Sequence, residues 1–200
     1  MPLTTELHRA VEQGDTEKIS RLLAEGVDAN ATDVYGQTAL YLAVKFDRLD
    51  LVKLLFPRSD ANKPDITGCT PLCRAILEKK FEIAQFLLEY GADPLTVDSD
   101  GRTSVHLAAM QGNLPLLQRL SDAAPSALVR ADTEGMTPLH WAVVHHLSPT
   151  MIGDSSVRSD NIAVIEWLLS VAHVDPNIPD NYEMDQARKE LIEGGIKIMQ

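Results

Sequence analysis

Short amphipathic segments follow one another in pairs along the chain. Residues 7–11 place apolar side chains at helical spacing, and residues 19–23 do so again a few positions later. Gly14 stands between the two segments and Gly26 follows them, where the left-handed residue that ends many helices is usually glycine. The pattern therefore predicts a pair of short helices, and similar pairs recur further along the chain.

A short signature opens the first helix of each pair. Its fullest copy is Thr137-Pro138-Leu139-His140, and related copies begin at Thr103, Thr70, Thr38 and Thr5. The five threonines are separated by 33, 32, 33 and 34 residues. A turn sequence that runs from aspartate to glycine precedes four of the copies, at residues 33–36, 65–68, 98–101 and 132–135. A fixed period of this length indicates a repeat architecture.

The period and the signature resemble the ankyrin repeat, which is a β-turn finger followed by two antiparallel helices. The resemblance covers residues 4 to 180 and implies an all-α fold, an ankyrin-repeat solenoid of stacked antiparallel helix pairs joined by β-turn fingers. We expect a single domain over residues 1–200, because a solenoid has no internal boundary. The predicted repeats are 4–30, 31–63, 64–95, 96–130 and 131–179, with an insertion at 147–160 and a C-terminal cap and tail at 180–200.

The second and third repeats depart from the family pattern. Asp47 stands where the family has an interhelical glycine, and we expect a slightly altered turn there. Pro57 is expected to stop the second helix of that repeat. In the family, the signature threonine and histidine tie turn amides within and between repeats, as Thr137 and His140 are expected to do. Tyr41 and Cys73 occupy the histidine position, so we expect a weaker network at both.

The fifth repeat is interrupted before its second helix. That helix is expected at Ile162–Leu169, with Asp160 or Asn161 as its N-cap. The intervening residues 147–160 are rich in serine, glycine, proline and aspartate, which is typical of a flexible surface loop. Insertions in repeat proteins also often lie on the binding face. Both interpretations stay open at this stage.

Charge and cysteine content narrow the classes of partner. The net charge is −11, from 18 basic and 29 acidic residues, which argues against nucleic acid and anionic membrane as partners. Cys69 and Cys73 have no second pair, so neither a disulfide framework nor a four-ligand zinc site is indicated. Without a signal peptide or an apolar run long enough to span a membrane, we expect a cytoplasmic or nuclear location. We also expect a monomer.

No pattern of catalytic residues emerges from the chain. The best candidate for a metal or enzymatic site is His140 with His145 and His146, but residues five and six apart do not share one helical face. His106 and His140 are interpreted as structural from their place in the signature. We therefore predict a protein that is not an enzyme, with no catalytic residues, no cofactor and no metal site.

The resemblance implies that finger tips and inner helices line a groove that holds a partner. Carried over by position, the candidate partner-binding residues are Tyr35, Phe46, Ile66, Leu77, Met110, Met136, Arg102 and His145. Six of them form an apolar run across successive repeats, which favours an interface. The expected partner is an extended peptide or an amphipathic helix. Acidic residues nearby favour basic flanks on that partner: Asp47, Asp65, Glu78, Asp98, Asp100 and Glu134.

The predicted function is therefore a non-catalytic protein–protein interaction module, acting as an adaptor, a scaffold or a masking inhibitor. The alternative is that several of these side chains tuck between repeats and the chain is a structural spacer or an effector module. A metal or enzymatic role has no coherent set of residues behind it.

Three asparagines are candidates for hydroxylation, because the resemblance implies a known substrate pattern. Ankyrin hairpins can be substrates of an asparaginyl hydroxylase that favours a leucine eight residues before the asparagine of an Asp-x-Asn sequence. That spacing occurs at Asn30, Asn62 and Asn177, after Leu22, Leu54 and Leu169. The alternative is a structural role in which each asparagine satisfies the loop backbone.

Overall fold

A computed structural model of the chain describes residues 5–147 and 155–170. These residues form ten α-helices and two short 3-10 helices, and none of them lies in a strand. The α-helices are α1 Glu6–Gln13, α2 Thr16–Ala24, α3 Ala39–Lys45, α4 Leu49–Leu55, α5 Pro71–Leu77, α6 Phe81–Glu89, α7 Ser104–Met110, α8 Leu114–Ala123, α9 Pro138–Leu147 and α10 Ser155–Ser170. The 3-10 helices are Phe56–Arg58 and Pro125–Val129.

The chain divides into two compact units, Met1–Ser99 and Asp100–Gln200. The first unit contains α1–α6, and the second contains α7–α10. The described helices follow one another in five pairs, from α1–α2 to α9–α10. The single domain over residues 1–200 stays a prediction.

A threonine N-cap begins the first helix in each of the first four pairs, at Thr5, Thr38, Thr70 and Thr103. Thr38 has extended backbone (φ −85°, ψ 168°), and its hydroxyl accepts a hydrogen bond from the Tyr41 amide at 3.1 Å. Such a bond satisfies one of the amides that a helix leaves unpaired at its start. Pro71 follows the N-cap Thr70, where its missing N–H has no intrahelical partner to lose.

The signature histidine forms hydrogen bonds within its own turn and to the next repeat. In the first unit, Nδ1 of His8 accepts from the Thr5 amide at 3.3 Å, and Nε2 donates to the Gln37 carbonyl at 2.9 Å. In the second unit, His106 likewise accepts from the Thr103 amide at 3.1 Å and donates to the Met136 carbonyl at 3.2 Å. These buried contacts confirm the structural role expected for the signature histidines.

The turn fingers of the first unit pair edge to edge through the backbone. The Ile66 amide donates to the Tyr35 carbonyl at 3.0 Å, and the Ser99 amide donates to the Thr67 carbonyl at 2.8 Å. Gly68 has φ +78°, and a Cβ there would lie 3.0 Å from the backbone of Asp98 and Ser99. The positive φ and the close approach of the next finger both require glycine.

The core of the first unit lies between its helices and is made of side chains from every repeat. The largest wholly buried apolar residues there include Leu7, Ile19, Leu40, Leu51, Leu55, Leu72, Ile76, Ile83 and Leu87. Full burial of one such side chain stabilises the fold by about 1.5–3 kcal/mol. Because each helix pair is short, it buries this surface only against its neighbours.

The turn at Asp47 keeps the geometry of the glycine turns, so the alteration expected there is not found. At Pro57 the helix end does differ, because α4 ends at Leu55 and the 3-10 helix Phe56–Arg58 follows. Asp47 has φ +58°, and its amide donates to the Val44 carbonyl at 3.0 Å. Gly14 makes the same bond to the Val11 carbonyl at 3.0 Å. Lys79 repeats the arrangement with φ +57°. The hydrogen bonds therefore hold two non-glycine residues in a conformation that their Cβ atoms disfavour.

The helix after the insertion begins earlier than expected. It starts at Ser155, so residues 155–160 are helical and not loop, and neither Asp160 nor Asn161 is its N-cap. Asn161 lies inside α10 and is wholly buried. Residues 148–154 of the predicted insertion, the C-terminal segment 180–200 and Asn177 lie outside the described residues.

Candidate functional site

Tyr35 and Ile66 are neighbours at the tips of two adjacent fingers in the first unit. The backbone hydrogen bond between them fixes this arrangement. Their side chains are 59% and 71% exposed, and Val34 is 58% exposed. We call Val34, Tyr35 and Ile66 the finger patch. A contiguous exposed apolar patch of this kind marks interaction sites more often than isolated apolar residues do.

Phe46 and Leu77 lie at the C-terminal ends of the inner helices. Phe46 is the C-cap residue of α3 and is 45% exposed, whereas Leu77 ends α5 and is half-buried. Tyr35 precedes α3, whose seven residues span about 10 Å. Exposed apolar surface in the first unit therefore occurs at both ends of α3.

The expectation that Met136 offers its side chain to a partner is wrong. Its side chain is only 4% exposed, and its carbonyl accepts the hydrogen bond from His106. Met110, at the end of α7, is half-buried. His145 lies in α9, but its side chain is outside the described residues. Of the candidates in the second unit, Met136 is thus part of the core.

Arg102 is half-buried and engaged within its own unit. Its guanidinium lies 5.6 Å from the centroid of the Trp141 ring, and Nη2 is 2.8 Å from Oδ2 of Asp100. Trp141 in turn donates from Nε1 to Oδ2 of Asp132 at 2.7 Å. A partner that contacts Arg102 therefore meets a side chain already held by an aromatic face and a carboxylate.

The acidic rim expected around the groove is smaller in the structure. Asp65 and Asp98 are buried, with 7% and 9% exposure, so the expectation that they face a partner is wrong. Glu78 pairs with Lys80 at 2.6 Å, which compensates its charge within the chain. Asp47, next to Phe46, is exposed. It is the carboxylate of the first unit best placed to meet a basic side chain.

Tyr41 replaces the signature histidine with a different hydrogen bond. Its hydroxyl donates to Oδ2 of Asp65 at 2.7 Å and accepts from Nε of Arg74 at 2.7 Å. Burial raises the pKa of Asp65, but hydrogen bonds from Thr67, Tyr41 and the Cys69 amide outweigh burial and lower that pKa below its ordinary value. A charge-assisted bond thus takes the place of the histidine-to-carbonyl bond. The expected weakening at Tyr41 is therefore wrong.

The two cysteines, Cys69 and Cys73, are free and buried. Burial, with the neighbouring Cys73, raises the pKa of Cys69 to about 12. A thiol is nucleophilic only as the thiolate, so Cys69 is unreactive in the folded protein near neutral pH. The weaker network expected at Cys73 stays a prediction.

Within the described part of the chain, no group of three histidines, cysteines or carboxylates could hold a metal ion. His140 is 4% exposed, and its Nδ1 accepts from the Thr137 amide at 3.0 Å. The side chains of His145 and His146 lie outside the described residues. No described helix combines the length and the hydropathy needed to cross a membrane.

An aromatic cluster on the outer helices was missed by the sequence reasoning. The ring centroids of Phe56 and Phe86 are 5.5 Å apart, and Tyr90 lies 4.4 Å from Phe86 and 5.8 Å from Phe56. Together with Lys53 and Pro57, the three rings line a pocket of about 370 Å³, which we call the aromatic pocket. The signal in the sequence was Tyr90, which stands where the two preceding repeats have charged residues.

The family profile described as ankyrin repeats in three copies matches residues 7–98 and 94–180. The chain belongs to the ankyrin repeat family. The crystal structure of another ankyrin repeat protein matches with a TM-score of 0.77 over 92% of this chain and 90% of that chain. The two sequences are 23% identical, so that likeness shows the fold alone.

Curated relatives share the ankyrin region at about one-third identity. The bovine (Bos taurus) inactive serine/threonine-protein kinase TEX14 is 32% identical over 141 residues, which is 70% of this chain and 7% of TEX14. The probable 26S proteasome regulatory subunit p28 of Saccharomyces cerevisiae is 34% identical over 143 residues, 68% of this chain and 63% of p28. Human Rabankyrin-5 is 31% identical over 152 residues, 76% of this chain and 11% of that protein. This chain spans less than two thirds of each.

Membership of the family has two consequences. Ankyrin repeats are generally protein-interaction modules, and the fold is generally non-catalytic. Function in such a fold depends on the exposed side chains and not on the scaffold. A function specific to this ankyrin repeat chain therefore depends on its exposed surfaces, which include the finger patch, Phe46 and the aromatic pocket.

The asparagines of the ankyrin loops in the first unit act as bridges between successive loops. Oδ1 of Asn30 accepts from the Asp60 amide at 2.7 Å, and Oδ1 of Asn62 accepts from the Asp93 amide at 2.8 Å. The Asn30 carbonyl also accepts from Nζ of Lys63 at 2.9 Å. These bonds agree with the structural role that the sequence left open beside hydroxylation.

Proposed function

We propose that this ankyrin repeat chain is a non-catalytic adaptor, scaffold or masking inhibitor that binds a partner protein through its first unit. The finger patch is the main contact, and Phe46 with Leu77 is the second. The observation that carries the proposal is the pair Tyr35 and Ile66, two largely exposed apolar side chains held side by side by a backbone hydrogen bond.

The finger patch supplies binding energy at low entropic cost. Each of its large apolar side chains would contribute about 1.5–3 kcal/mol if a partner buried it completely. The Asp33 carboxylate accepts from the amides of Tyr35 and Gln37 at 2.8 and 2.9 Å, so the finger is already ordered. Pre-ordering reduces what a partner loses in conformational entropy on binding.

The proposed partner is a peptide or an amphipathic helix whose apolar residues are flanked by lysine or arginine. Exposed Asp47 beside Phe46 and the net charge of −11 support basic flanks. The same negative charge supports a partner that is neither nucleic acid nor an anionic membrane surface. Met110, Arg102 and His145 are proposed as further contacts in the second unit, without Met136.

A cytoplasmic or nuclear location, and a monomeric state, also belong to this proposal. Two free buried thiols suit a reducing compartment. The name of the yeast relative, a probable regulatory subunit of the 26S proteasome, supports a role inside a larger protein assembly.

The test is capture of partners from a lysate by wild type and by the double variant Tyr35→Ala and Ile66→Ala, with mass spectrometry as the readout. Both side chains are more than half exposed, so the variant should keep its helical circular dichroism and its melting temperature. We expect a partner that is retained by wild type and lost by the variant. The same partners on both proteins, or none on either, would contradict the proposal, and the latter result would favour a structural spacer.

A matched control removes exposed apolar surface outside the finger patch. Val129 is 53% exposed and lies in the second unit, away from the finger patch in sequence. Val129→Ala should therefore retain the partner. Phe46→Asp then tests the second contact, and it is preferable to Leu77→Asp because Leu77 is half-buried and its replacement risks the fold.

Hydroxylation of Asn30, Asn62 and Asn177 stays a proposal. The hydrogen bonds of Asn30 and Asn62 support the structural role, since both side-chain oxygens are occupied by amides of the next loop. Incubation with an asparaginyl hydroxylase and intact-mass measurement tests it. A gain of one oxygen that disappears in Asn62→Ala would establish modification at that residue, and an unchanged mass would remove the idea.

A further inference from the structure

The aromatic pocket lies in the first unit on α4, α6 and the 3-10 helix Phe56–Arg58, whereas the finger patch lies in the turns before α3 and α5. Phe56 follows α4 directly, in the 3-10 helix, and Phe86 lies in α6 with Tyr90 as its C-cap residue. Phe56 and Phe86 are half-buried, whereas Tyr90 is 59% exposed. The rings of Phe56 and Phe86 meet edge to face with an interplanar angle of 83°, the geometry that aromatic pairs favour.

The repeat itself does not require an aromatic residue at this place. Counting by the repeat spacing, Tyr90 corresponds to Arg58 in the second repeat and to Glu25 in the first. Both of those residues are charged and exposed, as expected of a helix end that faces water. More than half of Tyr90 is exposed, so most of its ring belongs to the surface and not to the core.

The size of the pocket suits one bulky side chain of a partner. Its volume of about 370 Å³ lies within the range of sites that hold small ligands or side-chain anchors. Aromatic rings that form the walls of a pocket are frequent energetic centres of protein interfaces.

The charge at the rim of the pocket selects the flanks of that partner. Nζ of Lys53 lies 5.8 Å from the centroid of the Phe86 ring, and no carboxylate among the described residues pairs with it. An uncompensated cation in the wall of an apolar pocket favours carboxylates and disfavours basic side chains.

We infer that the aromatic pocket binds a peptide segment of a second partner, in which one bulky apolar side chain is flanked by aspartate or glutamate. The apolar side chain enters between Phe56, Phe86 and Tyr90, and a flanking carboxylate pairs with Lys53. This preference is the reverse of the basic flanks proposed for the finger patch. The pocket and the patch share no residue, so the inference gives the adaptor two separate contact surfaces.

The probe is a set of three fluorescein-labelled nonapeptides, each with a central tryptophan in a glycine–serine background. The residues on both sides of the tryptophan are glutamate in the first peptide, glutamine in the second and lysine in the third. Fluorescence anisotropy titration gives the dissociation constants for the intact chain. We expect the glutamate peptide to bind about tenfold more tightly than the lysine peptide, the difference that one favourable charge contact makes.

Two variants locate the binding. Tyr90→Ala removes a largely exposed ring and should weaken binding of the glutamate peptide by about tenfold. The melting temperature of this variant should stay within a few degrees of wild type. Lys53→Gln should remove the preference for glutamate over lysine flanks. The double variant Tyr35→Ala and Ile66→Ala should bind the glutamate peptide as wild type does, which separates this inference from the proposed function of the finger patch.

Several results would overturn the inference. They are the absence of saturable binding at millimolar peptide, equal binding of the glutamate and lysine peptides, or unchanged binding by Tyr90→Ala. Loss of binding in the finger-patch variant alone would also overturn it, since the peptide would then be held by the finger patch and not by the aromatic pocket.

Discussion

The hydroxyl of Tyr41 donates a 2.7 Å hydrogen bond to Oδ2 of Asp65, across 24 residues of sequence. Tyr41 belongs to an inner helix and Asp65 to the finger of the following repeat, so the bond joins two repeats of the first unit. His8 joins the first repeat to the second through the Gln37 carbonyl instead. Successive repeats are thus joined from the same position of the signature, by a bond to a carbonyl in one case and by a bond to a carboxylate in the other.

Removal of the Tyr41 hydroxyl should destabilise the protein. Tyr41→Phe leaves the buried Asp65 oxygen without this donor and Arg74 without this acceptor, so we expect a loss of about 1.5–3 kcal/mol in the free energy of unfolding. Urea denaturation followed by circular dichroism measures it. Tyr35→Phe is the matched control, because the Tyr35 ring is largely exposed. The free energy of unfolding should change by no more than about 0.5 kcal/mol in this variant. Equal effects of the two variants would contradict the role assigned to the bond.

Stability should fall at acidic pH because of Asp65. Its pKa in the folded protein lies below the ordinary 3.8, so its contribution is present above about pH 4 and is lost as the pH falls through the lowered folded pKa. Asp65→Asn should therefore be less stable than wild type at pH 7, and the difference should shrink towards pH 2. Thermal melts across this range test it, and a difference that is constant with pH would contradict the expectation.

Glycine at position 79 should stabilise the chain. Lys79 has φ +57°, a conformation that costs a residue with a Cβ about 1 kcal/mol or more. Lys79→Gly should raise the free energy of unfolding by about 0.5–1 kcal/mol, and Asp47→Gly should act in the same direction. Lys79→Ala is the control, since it removes the charge but keeps the Cβ and should give no gain. A gain in the alanine variant equal to that in glycine would assign the effect to charge.

The close approach of the fingers can be measured by comparing two glycines. Gly68 has φ +78° and backbone of the next finger at 3.0 Å, whereas Gly91 has φ +95° and no atom within 4 Å of the Cβ position. Gly91→Ala should cost about 1 kcal/mol from the backbone conformation alone. Gly68→Ala should cost clearly more, because the fingers must also move apart. Chemical denaturation of both variants gives the difference in the free energy of unfolding. Equal losses would show that the fingers can move apart at little energetic cost.

Cys69 should resist alkylation while the protein is folded. Burial raises its pKa to about 12, and the thiol is inaccessible, so iodoacetamide at pH 8 should label it only through unfolding. Mass spectrometry should show no label in native protein and two labels in urea, one on each cysteine. Ser99→Cys places a thiol at an exposed position of the same unit and should react without denaturant. Rapid native labelling of Cys69 would show that the third repeat opens easily.

The sequence alone determined the repeat period, the helix pairs and the N-cap threonines. These features depend on local spacing and on residue conformational preferences, so they can be recognised without knowing which repeats touch. The hydrogen bonds that His8 and His106 make between repeats were implied by the resemblance to the ankyrin repeat, in which every copy of the signature faces an equivalent neighbour.

Only the tertiary structure decided which side chains are available to a partner. Met136 and Asp65 occupy positions that face a groove in the family pattern, yet both are buried. The Met136 carbonyl accepts from His106 of the preceding repeat, and amides of its own finger turn donate to the Asp65 carboxylate. The aromatic pocket combines Phe56 from one repeat with Phe86 and Tyr90 from the next, and the rings meet only because the helices stack. Periodic spacing fixes the backbone of a repeat, but exposure depends on the volume and polarity of side chains brought together from separate repeats.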